Sequence, residues 1–480
     1  MRRKLMALTV LLLALALLCG CSSVNAGELM KQLFPAKDES VASQQTGDIS
    51  SVSSQPEGTA VVTETYTQIE SFGLAYQPDY GLQPYNCQSL NNRIIFSFLY
   101  EPMFAVTSDY EAVPILAEGY TVTDDGKTTT VTLRTGVTFH DGSAMTAQDA
   151  AYSITSAAGS DYYGSRLRFI TATDTPDDRT LVITTSESYE CLPLLLDIPI
   201  IKSGTAEQPV PPGTGPYQFA QTKLTRYTGW WQDTAPLVDF DEIALTEAST
   251  SADVRDNFEY QKVNMVLTDP NSSAFAGFHN DYELWNADTT IMQYIGYNMN
   301  SSVFSNYGLR GALTYAIDRE TLVEQVFGGF AAASTLPCTP NSRYYDVKLA
   351  NSFAYDPGAY YDQLASASVE DATGDGILDL YVPSKGYSVP VEGTMIVCSS
   401  SYIRVKSMEY SEYKQALLLG NFDLYYGEVR LSPNFDLSPF FGATGTLNYG
   451  SLSDSITPIR NGIAKLPTQK NACPALSAPA

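Results

Sequence analysis

The pattern of apolar and polar positions predicts strands and helices along the chain from about residue 66 onward. The predicted strands span residues 71–76, 119–124, 128–133, 180–184, 239–245 and 294–299. The predicted helices span residues 146–157 and 309–326, and Thr146 is the predicted N-cap of the first. Because strands and helices are interleaved over the whole length, the predicted class is α/β or α+β rather than all-β.

The first twenty residues differ from the rest of the chain. A basic start (Arg2, Arg3 and Lys4) precedes an apolar run over residues 5–18, which is too short to span a bilayer comfortably. This pattern predicts a secretory signal. An ordinary signal without lipid attachment, or an anchor helix, is the simpler interpretation. The end of the run, with Cys21 after a small residue, resembles the lipobox of bacterial lipoproteins. That resemblance implies cleavage before Cys21 and a lipid on Cys21.

Residues 21–65 are rich in Ser, Gln, Thr and acidic side chains, which predicts a flexible tether. The 480-residue chain has 53 acidic and 28 basic residues, a formal net charge of −25. Loss of the predicted signal, which has three basic and no acidic residues, makes this −28. An acidic balance of this size excludes nucleic acid as the expected partner, and it excludes polybasic adhesion to anionic lipid.

Residues that commonly carry catalysis or bind metals are few. The chain has two histidines, no GxSxG elbow and no CxxC pair, so we expect no enzyme activity, no metal and no cofactor. The five cysteines after Cys21 leave open one or two disulfides or isolated core positions. His140 and Asp141 are adjacent, but neighbours in a turn point apart, so we expect structure there. Residues 371–379 resemble the first nine positions of a calcium-binding loop. The twelfth position, where such a loop has a bidentate Glu, is Val382.

Several short motifs follow one another in a fixed order. They are Leu-Tyr-Glu-Pro-Met at 99–103, Pro-Ile-Leu-Ala-Glu at 114–118, Asp-Asp-Gly-Lys at 124–127, the segment 133–142, Met-Thr-Ala-Gln-Asp-Ala at 145–150, Gly-Thr-Gly-Pro-Tyr at 213–217, Ala-Leu-Thr-Tyr-Ala-Ile-Asp-Arg at 312–319, Ala-Tyr-Asp-Pro at 354–357, and residues 374–379. The ordered series resembles the family 5 extracellular solute-binding proteins, the receptors of peptide- and nickel-type ABC importers. Each motif alone is weak, and the resemblance rests on their order over residues 72–441.

The resemblance implies an α/β, two-lobed, type II periplasmic-binding-protein-like fold with a hinge cleft. The lobes would close over a solute, without making or breaking a bond. The implied first lobe spans residues 66–300, with a subdomain around 105–210, and the second spans residues 301–465. An irregular tail would follow at 466–480. The implied partners are a small-molecule or peptide ligand and an ABC permease in the membrane, and the receptor would be a monomer.

In peptide-binding members of the family, ligand backbones add to strands from both lobes. By position, the implied first-lobe strand is residues 88–90 and the implied second-lobe strand is residues 427–429. The implied ligand-binding residues are Gln88, Ser89, Leu90, Tyr217, Tyr426, Gly427, Glu428, Val429 and Arg430. Tyr217 lies in the loop 213–217, and a structural role is favoured for it over ligand contact. Glu428 stands where these members have Trp, and Leu431 stands where they have an Asp that pairs with the peptide amino group. Glu428 would suit an ammonium and Arg430 a carboxylate, or both are ordinary surface charges.

The second lobe departs from the family in one respect. Predicted strands at 394–398 and 402–406 are separated by three residues, whereas a parallel crossover needs a dozen or more. Either the lobe lacks a helix, or the strands pair antiparallel, or one assignment is wrong. We therefore expect a shortened second lobe.

The leading functional prediction is a lipid-anchored receptor for an ABC importer on the extracytoplasmic face of a bacterial membrane. A surface glycan hydrolase is the first alternative, because the chain is rich in Tyr and in carboxylates. A signalling or adhesion lipoprotein on the same fold is the second, because the second lobe looks short.

Overall fold

A computed structural model describes residues 69–189, 191–232, 236, 238–270, 277–301, 304, 307–366, 378–383, 403–442 and 445–449. They belong to one compact unit that begins at Gln68. The predicted signal and tether, Cys21, Cys398, Cys473, the calcium-like residues 371–377, the strand 394–398 and the tail 466–480 lie outside the described residues.

The described residues form strands and helices in an interleaved order, which confirms the α/β character. The strands are β1 (Phe72–Tyr76), β2 (Phe104–Val106), β3 (Ala112–Pro114), β4 (Ala117–Val122), β5 (Thr128–Leu133), β6 (Ile170–Asp177), β7 (Thr180–Thr185), β8 (Tyr217–Ala220), β9 (Lys223–Arg226), β10 (Glu242–Glu247), β11 (Ile291–Tyr297), β12 (Leu378–Pro383), β13 (Ile403–Met408) and β14 (Leu424–Arg430). The helices are α1 (Leu90–Leu99), α2 (Ala147–Ala158), α3 (Gly164–Leu167), α4 (Ser251–Glu259), α5 (Tyr307–Thr314), α6 (Arg319–Gln325), α7 (Val347–Asn351), α8 (Pro357–Ser366), α9 (Tyr410–Leu419) and α10 (Ser438–Phe441). Short 3₁₀ turns lie at Pro78–Tyr80 and Leu192–Leu195.

Three four-stranded sheets organise the described residues. One has the order β1-β10-β9-β8, with β1 parallel to β10, and a second has the antiparallel order β4-β5-β7-β6. The third has the order β11-β14-β12-β13, and β2 and β3 form a separate hairpin. One apolar core runs from the first sheet through α1 and α2 to the second, and it includes Leu74, Ile95, Val131 and Ile154.

Local sequence signals explain where several elements begin and turn. Helix α2 begins at a capping box, in which the backbone N–H and the hydroxyl of Thr146 both donate to Asp149 Oδ2, at 2.8 and 2.9 Å. A turn at the Asp-Asp-Gly-Lys motif joins β4 to β5. Gly126 in that turn has φ of 69°, a left-handed conformation that glycine adopts without steric cost.

The predicted helix over 309–326 is wrong in one respect, because it is two helices, α5 and α6. Asp318 separates them: its side chain accepts a hydrogen bond from Thr321 N at 3.0 Å and so caps α6. A capping residue has a non-helical backbone, so one continuous helix cannot run through Asp318.

The third sheet bears on the predicted second lobe. Strand β13 matches the strand predicted at 402–406, and it pairs in parallel with β12. Strand β11 pairs along its whole length with β14, although the predicted boundary at residue 300 places it in the first lobe. None of the helices in the described ranges is both long enough and apolar enough to cross a membrane.

Candidate functional site

Strand β14 carries five of the predicted ligand-binding residues, from Tyr426 to Arg430. It runs antiparallel to β11, with Gly427 opposite Tyr294 and Glu428 opposite Gln293. On its other side it pairs in parallel with β12, through Leu424 and Tyr425. Beyond Tyr425, β14 therefore continues past the end of its ladder with β12. The prediction of a strand over 427–429 is confirmed.

The hydrogen bonds at the two ends of the β11–β14 pair show which way the backbone of β14 faces. Asn298 N donates to Asp423 O, and Leu431 N donates to Thr290 O, both at 3.0 Å. In an antiparallel ladder, alternate residues face the partner strand, so the odd-numbered residues of β14 face β11. The backbone groups of Arg430 then face the side on which β12 lies. An edge of this kind is the geometry to which extended peptides add as a further strand.

A polar side-chain network lies on one face of the β11–β14 pair. The hydroxyl of Tyr426 donates to Gln293 Oε1, and Gln293 Nε2 donates to Glu428 Oε2 at 3.1 Å. Since Oε1 accepts from the tyrosine, the amide has its NH₂ group aimed at the carboxylate. The network fixes the direction of the Glu428 side chain, close to the strand edge. Gln293 was not among the sequence-based candidates, because its place opposite Glu428 depends on a register between distant segments.

The opposite face has two glycines, each covered by the ring of the tyrosine across from it. A Cβ on Gly427 would lie 2.3 Å from Tyr294 Cζ, and one on Gly296 would lie 2.1 Å from Tyr425 Cε1. The two rings meet edge to face, with centroids 5.7 Å apart. Glycine is therefore required at both positions, because a Cβ there would overlap the tyrosine ring on the opposite strand.

The prediction of a first-lobe strand over residues 88–90 is wrong. Ser89 is the N-cap of α1, because its Oγ accepts from Asn92 N at 3.0 Å and donates to Gln77 Oε1 at 2.6 Å. Leu90 is the first helical residue and is 39% exposed, and Gln88 is exposed just before the helix. Ligand contact at these three residues stays a prediction.

Tyr217 occupies the structural position favoured by the sequence. Its side chain is fully buried, and its hydroxyl lies 2.6 Å from the carbonyl oxygens of both Val238 and Phe240. The ring meets Phe98 edge to face at 5.7 Å. This placement gives a ligand no open access to Tyr217, so we do not include Tyr217 in the candidate site.

The loop before Tyr217 packs closely against the end of α1. A Cβ on Gly213 would lie 2.0 Å from Leu99 O, and one on Gly215 would lie 2.4 Å from Phe98 O. His140 fastens the same loop: its Nδ1 accepts from Gly213 N at 3.3 Å, and its Nε2 lies 3.1 Å from Gly215 O. Burial lowers the pKa of His140 to about 4. These contacts support a structural role for the histidine.

A buried carboxylate, Glu101, lies beside this loop. It accepts from Trp231 Nε1 at 2.8 Å, Thr214 Oγ1 at 2.9 Å, Trp230 Nε1 at 3.2 Å and Gln232 Nε2 at 3.5 Å. Burial raises its pKa, although these donors act in the opposite direction. The sequence marked Glu101 only as part of a motif, with no signal for its partners.

The described residues include no group of three or more His, Cys, Asp or Glu side chains that could hold a metal ion. Three of the cysteines fall within the described ranges: Cys87 is buried, and Cys191 and Cys338 are half-buried. The adjacent pair His140 and Asp141 diverges: the His140 ring faces the loop at 213–215, whereas Asp141 pairs with Lys202 Nζ at 2.5 Å.

Comparison with known proteins places the chain in a family. The model of the bacterial extracellular solute-binding proteins, family 5 middle region, matches residues 111–427, which is more than half of the chain. The glutathione-binding protein GsiB of Salmonella typhimurium is 29% identical over 309 residues, which is 60% of this chain and 60% of that protein. The chain thus matches well under two thirds of the length of this curated relative.

Solved structures agree on the fold. The ABC transporter substrate-binding protein CtaP of Listeria monocytogenes has a TM-score of 0.61 at 17% identity, with coverage of 82% of this chain and 86% of that one. NikA of Brucella suis, in complex with Fe(III)-EDTA, has a TM-score of 0.59 at 16% identity, with coverage of 83% and 88%. The predicted type II periplasmic-binding-protein fold is confirmed. The chain belongs to the family 5 bacterial extracellular solute-binding proteins.

Proposed function

We propose that this protein is a lipid-anchored receptor that captures a small solute outside the cytoplasm and delivers it to an ABC permease. The observation that carries the proposal is the edge of β14, which continues past its ladder with β12 and exposes the end of the strand at Arg430. An extended ligand backbone can add to such an edge, and the ligand then supplies the free energy that closes the cleft.

The ligand we propose is oligopeptide-like and carries charges of both signs. Glu428, directed by Gln293 along the strand edge, would attract an ammonium, and Arg430, two residues further on the same face, would attract a carboxylate. Glutathione has both groups, and the relative GsiB is named for binding it. Glutathione is therefore the first compound to test.

The attachment to the membrane is part of the same proposal. Cys21 would carry the lipid, and residues 22–65 would hold the folded body away from the surface. The net charge of −28 after signal removal would repel an anionic bilayer, so attachment would depend on the lipid. We place the boundary of the second lobe before Ile291, because β11 is a strand of the β14 sheet.

A thermal-shift screen of residues 22–480 tests the proposal. The panel is reduced and oxidised glutathione, tripeptides, Ni(II)–histidine and a set of neutral sugars. A ligand present at 100 times its Kd adds about 2.7 kcal/mol to the free energy of unfolding, which raises Tm by about 3 °C for a chain of this size. The absence of any shift at millimolar concentrations would contradict the receptor, and turnover of a bound compound would show an enzyme instead.

A matched pair of variants tests the location of the site. Gly427→Ala and Gly296→Ala each force a methyl group into a tyrosine ring, so both should lower stability by a similar amount, about 1–3 kcal/mol. Gly427 lies in β14 next to Glu428, whereas Gly296 lies in β11, so only the first change alters the strand that carries the proposed ligand edge. We expect the first variant to weaken binding of the compound found in the screen at least tenfold and the second to retain it. Equal loss of affinity in both would place the ligand elsewhere.

A further inference from the structure

The segment that follows β14 packs against the β2–β3 hairpin, which belongs to a distant part of the chain. The ring of Tyr110, in the hairpin turn, lies 4.9 Å from the ring of Phe435, measured between centroids. Both side chains are buried, together with Leu431 and Phe440. Leu431 directly follows the last residue of β14. The proposed ligand edge therefore leads without interruption into this contact.

Both aromatic residues have a left-handed backbone. Tyr110 has φ of 60° and Phe435 has φ of 54°, and they are two of the four non-glycine residues with positive φ in the described ranges. Each is held in a tight turn, by Tyr110 N donating to Thr107 O and Phe435 N donating to Ser432 O. Such a conformation is costly for a residue with a bulky side chain, and surrounding structure must maintain it. Here the two strained residues pack directly on each other.

Polar contacts surround the aromatic pair and join the same two parts of the chain. Asn434 Nδ2 donates to the hydroxyl of Tyr189, and Arg168 Nη2 lies 3.5 Å from Asp436 Oδ2. A third contact brings Arg343 Nη1 to 3.6 Å from Glu111 Oε1. In every case one partner comes from residues 110–190 and the other from residues 343–436. The contact is thus an interface between the two parts, and it reaches well beyond one aromatic pair.

We infer that this interface, centred on Tyr110 and Phe435, is a closure latch. It rests on the proposed function, because a latch matters only if the two parts separate to admit a solute. The latch sets the fraction of molecules that are closed, and the apparent Kd of any ligand is its intrinsic Kd divided by that fraction. Residues of the latch therefore scale affinity for all ligands alike, whereas residues of the β14 edge affect each ligand differently.

The experiment measures opening without any ligand, so its outcome does not depend on whether the proposed function holds. Hydrogen exchange is compared in wild type, Phe435→Ala, Phe435→Gly and the control Phe240→Ala. Phe240 stacks on Phe72 at 6.0 Å, away from the latch. Phe435→Gly is included because it removes the ring and also relieves the backbone strain, so it should destabilise the fold less than Phe435→Ala.

Both Phe435 variants should increase amide exchange roughly two- to tenfold on both sides of the interface, in residues 104–114 and in residues 431–441. Phe240→Ala should leave both segments at the wild-type rate. Small-angle X-ray scattering should give a larger radius of gyration for the Phe435 variants. Faster exchange confined to residues 431–441, or an unchanged radius of gyration in Phe435→Gly, would overturn the latch and leave only local packing.

Discussion

His140 allows a direct test of how the 213–217 loop is held. Gly213 N–H donates to its Nδ1, so this nitrogen has no proton, and the neutral ring has its proton on Nε2, aimed at Gly215 O. Protonation of Nδ1 would remove the acceptor that Gly213 uses and would place a charge in a buried site. We therefore expect low pH to loosen the loop, through protonation of the His140 ring.

The size of the effect follows from the pKa. Burial lowers the pKa of His140 from 6.5 to about 4 in the folded protein, whereas the unfolded chain keeps the ordinary value. Between these values the unfolded state binds more protons, so the free energy of unfolding falls as the pH falls. The contribution of the neutral His140 ring to the free energy of unfolding is complete above pH 6.5 and is lost progressively toward pH 4. The loss corresponds to about 3 kcal/mol.

The assay is unusually simple because the sequence has two histidines, His140 and His279. Proton NMR of the imidazole groups should show one ring that titrates well below pH 6, and the signal of that ring should be missing in His140→Gln. Urea unfolding from pH 4 to pH 7 is then compared with His140→Gln, whose amide has a donor and an acceptor but does not titrate. A His140 ring that titrates near pH 6.5, or an identical pH dependence in the variant, would refute the reasoning.

Three further predictions concern the first two sheets and their helices, with urea unfolding as the measurement. Glu101→Ala should lower the free energy of unfolding by about 2–4 kcal/mol, because the buried hydroxyl of Thr214 and two indole N–H groups lose their acceptor; a loss below 1 kcal/mol would mean that water replaces the carboxylate. Gly215→Ala should cost at least about 2 kcal/mol, since its Cβ would meet backbone atoms of α1; wild-type stability would show that the loop shifts freely. Thr250→Ala should cost about 1 kcal/mol by breaking the capping box of α4, and loss of helix elsewhere would contradict this.

Local signals in the sequence were sufficient for about half of the strands and for the N-terminus of α2. The alternation over 128–133 and 180–184 gave two adjacent strands nearly to the residue, because one face of each strand is buried. Asp318 carried a readable capping signal inside the helix predicted over 309–326, but the apolar pattern on both sides concealed it. The same kind of signal, Ser89 followed three residues later by Asn92, marked the start of α1 and was outweighed by the family resemblance.

The candidate site could be predicted only in part, because it depends on pairing between distant segments. The β14 residues were identified from the order of motifs, and they do form a strand. Gln293 and Tyr294 were not identified as site residues, since their positions opposite Glu428 and Gly427 follow from the register of β11 against β14. Nothing in a local window fixes that register.

The register also explains why ligand edge and latch belong to one strand. Successive side chains of β14 point to opposite faces, so Tyr426 and Glu428 join the polar network while Val429 and Leu431 pack into the latch. A shift of β14 by one residue would exchange the two faces and disrupt both contacts together. The interlocked Gly427 and Tyr294 oppose such a shift, because only glycine leaves room for the ring at that position. The proposed ligand edge and the proposed latch would therefore be coupled by the geometry of one strand, and we expect a solute that pairs with the edge to hold the latch in register.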